Sequence, residues 1–185
     1  GDFNAGPGLT DATGLIGKWH LGAFDRRYHP NARGFDEAVC FRGGMHDYYN
    51  WRLEYNKRVE RADGRYLTDV WTDEAVAFIG RHRHEPFFLH VTYNAPHTPI
   101  QPPPAWVKKV TAREKGIDKR RAKLVAFIEH LDHNIGKVLD ELDRLGIPLV
   151  EIGTGPDIER LGRFDAFLAR RFHEELERRR SVRDF

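Results

Sequence analysis

Cysteine is nearly missing from this chain: Cys40 stands alone among 185 residues. An internal disulfide is therefore excluded. Long apolar runs are missing too, and none approaches the roughly 20 residues that a membrane span needs. No sign of charge dominates, with 30 lysines and arginines against 28 acidic residues and a net charge of +2. That balance implies neither a nucleic acid nor an acidic membrane surface as partner. The chain opens on Gly1 and shows no basic segment leading into an apolar one, so no signal peptide is visible. A removed leader or a partial chain would each account for that opening. What is present is ordinary for a globular protein: 40% hydrophobic and 31% charged residues. One domain with a real core is the expectation at this length. The 10 histidines are scattered. The close pairs, His82 with His84 and His130 with His133, lack the cysteine or acidic partners of a closed zinc site. No histidine metal site is expected.

The most informative stretch is Thr13–Gly22, TGLIGKWHLG. Leu15 and Ile16 read as the end of a buried strand. Side-chain alternation would then put Lys18 and His20 on one side. The flanking glycines let a ligand approach the backbone. An ammonium beside an imidazole suits a tetrahedral oxyanion such as sulfate or phosphate. A nucleotide P-loop ending at Gly17-Lys18 fails twice, because it needs glycine at position 12 and Ser or Thr at 19, where Ala12 and Trp19 stand. A solvent-facing Lys18, a structural His20 and a loop-capping His97 are the plainer alternatives.

Residues 1–11 read as loop, 13–21 as a short strand and turn, and 25–65 as an irregular excursion with short strands at most. Gly43-Gly44 and Asp63-Gly64 mark turns. A helix is predicted over 69–82, capped by Thr68 or Asp69. Residues 87–93, FFLHVTY, read as a buried strand that runs into the proline-punctuated loop Asn94–Pro99. The clearest element is a helix over 119–145. Leu124, Ile128, Leu131, Ile135, Val138, Leu142 and Leu145 form its apolar stripe, and Gly146 and Pro148 stop it. That stripe fits packing on a sheet better than a coiled coil. Beyond it, Ile158, Leu161, Phe164, Phe167, Leu168 and Phe172 predict a further helix ending in Arg178–Arg180. Alternating strands and helices predict an α/β layer fold. Both interesting loops, at Lys18-His20 and at His97, follow predicted strands, where ligands sit in open α/β sheets.

Taken in order, these segments resemble the sulfatase family. Gly14–Gly22 resembles its second signature, and His29–Glu37, Gly43–Tyr49, Tyr66–Ala75, Pro86–Pro99 and Leu131–Gly136 have counterparts in the same order. The resemblance covers roughly residues 12–147 and is nearest to arylsulfatases and sulfatases of sulfated sugars. It implies a fragment of an alkaline-phosphatase-like α/β sheet with helices on both faces, and hydrolysis of aryl or carbohydrate sulfate esters. Lys18 matches the lysine that contacts sulfate and the nucleophile. His20 matches the histidine that takes a proton from the nucleophile hydrate to drive sulfate release. His97 matches the histidine that contacts sulfate on the leaving-group side. His46, like Asp47, lies in a variable region where substrate contacts arise.

The family also implies calcium and a formylglycine nucleophile made in a Cys-x-Pro-x-Arg motif. That motif is absent, and Cys40, in AVCFR, is no substitute; it reads as a small buried residue. The paired acidic residues that bind calcium, the later Asp-Asn-Gly segment and a second sulfate-binding lysine are absent as well. The expectation is a partial catalytic domain over 1–147, inactive alone, followed by a divergent, helical, basic tail over 148–185. An interruption of the reading frame near 148 would explain the change of character. Alternatives are a phosphate or phosphonate ester hydrolase of the same superfamily, and a non-catalytic remnant that binds anions or a partner. The family suggests a periplasmic, secreted or lysosomal location. The implied partner is a small-molecule or glycan sulfate ester; substrate identity and oligomeric state are left open.

Overall fold

A computed structural model describes residues 12–56 and 58–148. The chain divides into two compact units, residues 1–138 and 139–185. Of the second, the described part is residues 139–148: the end of a helix, closed by Gly146 at φ 67°, as the sequence predicts. Within it Arg144 pairs with Glu141. The predicted loop over 1–11 and the predicted tail helix lie outside the described residues.

The first unit is built on five strands: β1 (Ala12–Lys18), β2 (Glu37–Phe41), β3 (Arg52–Tyr55), β4 (Arg58–Arg61) and β5 (Phe87–Thr92). Their order is β4-β3-β2-β1-β5. β1 runs parallel to β2 and β5, while β2, β3 and β4 pair antiparallel. The region over 25–65 thus holds three short strands, the most that the sequence predicts for this excursion. They are only four or five residues long. Arginines and glutamates occupy most of β3 and β4, which hides the apolar alternation a strand reading relies on.

Three helices follow: α1 (Leu67–His82), α2 (Pro104–Arg113) and α3 (Lys119–Leu145). α1 begins two residues before the prediction, on Tyr66 and with no side-chain cap. Its first orphan donor is met from outside, where Leu67 N–H donates to the Tyr48 carbonyl at 2.9 Å. Thr68 is buried instead of capping, and Asp69 pairs with His130 of α3. α2 starts with Pro104 at its first turn, in a segment for which no element is predicted.

The core lies on one face of the sheet. Ile16, Phe41 and Leu53 meet Val70, Trp71 and Phe78 of α1 and Phe127 of α3 there. α3 spans the predicted range, and Leu131 and Val138 of the predicted stripe pack against the core, but its fully buried positions are others. Ala122, Ala126, Phe127, His130 and Asn134 are buried, whereas Leu124 and Ile128 are 42% and 44% exposed. The alanines let α3 approach Val110 of α2 in a small second cluster. Strand β5 is half-buried rather than buried. Phe87, Leu89 and Val91 join the core while Phe88 is 52% exposed. Among the described residues, the face that Phe88 shares is met by Phe35 rather than by a helix.

Candidate active site

The carboxyl ends of β1, β2 and β5 gather three loops. β1 ends at Lys18, so strand alternation does not reach His20, which adopts φ 51°. The histidine is placed by its neighbours instead. A Cβ on Gly44 would lie 2.7 Å from the His20 ring, so the loop after β2 presses its backbone on that imidazole. Gly17, at φ 128°, brings β1 against the end of β5, where a Cβ would meet the Thr92 carbonyl oxygen at 2.1 Å. Thr92 Oγ1 in turn donates to the Lys18 carbonyl at 2.7 Å. Lys18 is half-buried, and its ammonium makes no ion pair among the described residues.

The loop after β5 carries His97, which is exposed. Its N–H donates to the Asn94 carbonyl at 2.9 Å, and Tyr48 Oη donates to its carbonyl at 3.0 Å. Thr98 Oγ1 reaches Met45 Sδ at 3.7 Å, and Gln101 Nε2 donates to Asp47 Oδ2 at 2.8 Å. The β5 loop is thereby fastened to the β2 loop at several points. His97 Nδ1 lies 2.8 Å from the Thr98 carbonyl oxygen. An acceptor there requires the proton on Nδ1, which leaves Nε2 as the open nitrogen. Neutral His97 can accept a proton at Nε2, and the imidazolium can donate one from it.

Lys18, at the end of β1, and His20 and His97, on the loops after β1 and β5, therefore lie at one end of one sheet. His46 is engaged within the fold. Its Nε2 lies 3.1 Å from the Arg52 carbonyl oxygen and 3.2 Å from the Arg52 nitrogen, and its ring meets Phe41 edge-on. Sequence reasoning missed Gly44, Tyr48 and Thr92. Their signal is pairing between loops distant in sequence, which no local motif carries. Cys40 is fully buried, and burial pushes its thiol up to about 12. It fits no nucleophile role. Among the described residues no three His, Cys, Asp or Glu side chains gather as a cation site, so the residues present do not fit calcium either.

A family model for sulfatases matches residues 10–148. The chain belongs to the sulfatase family. Mouse arylsulfatase J is 29% identical over 149 residues, covering 73% of this chain and 24% of that protein. Human N-acetylgalactosamine-6-sulfatase is 27% identical over 152 residues, covering 72% and 27%. The solved structure of Ps i-CgsB in complex with k-i-k-neocarrahexaose is 31% identical with a TM-score of 0.67, covering 74% of this chain and 35% of that one. The chain thus spans about a quarter of the length of the curated relatives it matches. The likeness extends to the α/β, alkaline-phosphatase-like fold. No described helix of this sulfatase is long and apolar enough to cross a membrane.

Proposed function

We propose that this chain is the part of a sulfatase catalytic domain, residues 1–147, that holds a sulfate ester between Lys18, His20 and His97. The observation that carries the reading is the convergence of the three loops at the carboxyl end of the sheet. Lys18 supplies a fixed positive charge for the sulfuryl oxygens. His20 is assigned as a general base, and His97 as the group that protonates the departing ester oxygen from Nε2. His46, held by Arg52, is at most a substrate contact. The substrate class is an aryl or carbohydrate sulfate ester. Family membership favours an exported or lysosomal setting.

The described residues fit neither calcium nor the formylglycine nucleophile, so no covalent step is assigned to them. The 185-residue chain alone is proposed not to turn over sulfate esters. Binding without turnover is the second reading, favoured by the buried, unreactive Cys40. Thermal melts with and without sulfate separate the two from a misassigned site. Stabilisation that Lys18→Ala reduces, with no hydrolysis of an aryl sulfate, supports the assignment. Equal stabilisation of wild type and Lys18→Ala overturns it. Turnover that Lys18→Ala abolishes overturns the proposal of inactivity.

A further inference from the structure

A pocket of about 370 Å³ opens on the sheet face opposite α1. The 3-10 turns Arg26–Tyr28 and Pro30–Ala32 form one wall, and strands β3 and β4, with Arg42 just beyond β2, form the other. Three arginines line it, Arg26, Arg42 and Arg52, against one carboxylate, Glu54. Arg42 Nε donates to Glu54 Oε1 at 2.9 Å, which neutralises that pair. Neither Arg26 nor Arg52 has a carboxylate partner among the described residues. Two cations are left over.

Two buried polar atoms on the lining residues are also unmet. His29 Nδ1 accepts from the Asn31 N–H at 3.2 Å, so its proton is on Nε2. That Nε2 is buried without a hydrogen-bond partner and stands 3.6 Å from Glu54 Oε2. Burial lowers the His29 pKa and, although Glu54 pulls it back up, Arg42 and Arg26 add to the lowering, so the ring is neutral at pH 7. Asn31 Nδ2 donates to the Phe35 carbonyl at 3.0 Å, while Asn31 Oδ1 is buried and unpaired. Both atoms are closed off from the open space of the pocket, where Arg26, Arg52 and Asn56 are exposed.

The size and walls narrow its chemistry. A pocket this large is in the range of small-molecule sites and far exceeds a bare oxyanion. Val59 and Ala32 supply apolar wall, and Asn56 an amide. We propose that this pocket is a second ligand site, separate from the Lys18 loops, that takes an anionic monosaccharide unit. Arg26 and Arg52 hold its sulfate or carboxylate. Its ring lies on Val59, and its hydroxyls meet the exposed Asn56 amide. Lys18 pairs in register with Phe41, which faces the core, whereas Arg52 and Glu54 alternate with the core residue Leu53 and so face away from it.

The test is calorimetric titration of the full 185-residue chain with N-acetylgalactosamine 6-sulfate, glucuronate, inorganic sulfate and uncharged N-acetylgalactosamine. Saturable binding of a charged sugar is expected to survive Lys18→Ala. It should weaken roughly tenfold or more in Arg26→Gln/Arg52→Gln. Arg83→Gln/Arg121→Gln removes the same charge elsewhere and should bind as wild type. The neutral sugar and inorganic sulfate should each bind the Lys18→Ala chain more weakly than the charged sugar does. Should the double pocket variant fold poorly, Val59→Glu places a carboxylate at an exposed wall position and should repel the ligand instead. Absence of saturable binding overturns the proposal. So does binding lost in Lys18→Ala but kept in the pocket variant, an equal loss in the remote-charge control, or inorganic sulfate that binds the Lys18→Ala chain as well as the sugar does.

Discussion

Gly17 closes β1 with φ 128°, and the carbonyl of Thr92 fills the space a side chain would need. The two nearest atoms are Thr92 backbone, so Gly17→Ala can be relieved only by parting β1 from β5. A loss of about 3 kcal/mol is expected in chemical denaturation. Gly44 is a different case. Its would-be Cβ meets the tip of the exposed His20 ring, which can swing away. Gly44→Ala should cost less than about 1 kcal/mol in stability yet displace His20. The His20 imidazole resonances, followed by NMR, should change while the melting temperature barely moves. Lys18, His20 and His97 could be read from the sequence because they stand in short motifs after strand-like runs. Gly44 and Thr92 could not, because what makes them matter is which loop lies against which.

At the scale of elements, α3 shows how far periodicity goes. Its range was legible because twenty-seven residues carry apolar spacing between clear stops. Its fully buried positions were not, because alanines, His130 and Asn134 take them. Phe127 is fully buried and meets Tyr48 edge-on at 4.9 Å. Phe127→Ala should cost about 3–5 kcal/mol, and Leu124→Ala or Ile128→Ala under about 1 kcal/mol. Comparable losses at all three would mean that the stripe, not the alanine face, is packed. A second contact fixes α1 to β2. His82 Nε2 lies 2.8 Å from Glu37 Oε1, and His82 Nδ1 lies 2.5 Å from Glu85 Oε1. Burial works against the charged form of His82, but its hydrogen bonds to Glu85 and Glu37 outweigh it and raise its pKa. A raised histidine favours the folded state fully below its unfolded value, near 6.5, and that gain disappears as pH rises through the folded value. The stability difference between wild type and His82→Ala should therefore be larger at about pH 5.5 than at about pH 8.5. Glu37 does not reverse this order. Burial disfavours its charged form, but its bonds to His82 and Arg81 lower its pKa, so its own contribution is lost only at more acidic pH. A difference that grows toward alkaline pH would show that His82 is neutral in the fold.

At the scale of the whole molecule, the two proposed sites make a joint prediction through linkage. A ligand that binds only the folded chain stabilises it by RT ln(1 + [L]/Kd), about 1.4 kcal/mol per site at ten times Kd. The Lys18 loops lie at the carboxyl end of the sheet, and the arginine pocket opens on the face away from the core. The two share no ligand-contacting residue, so their contributions should add. With a sulfated monosaccharide as ligand, Lys18→Ala should remove one increment of stabilisation and Arg26→Gln/Arg52→Gln the other. The triple variant should lose the sum. A triple variant no worse than either parent would reduce the two sites to one. A loss larger than the sum would mean that the sheet couples them, and β2 is the strand that could do so. It pairs with β1 on one side and β3 on the other, and both the Gly44 loop and Arg42 lie just beyond its end.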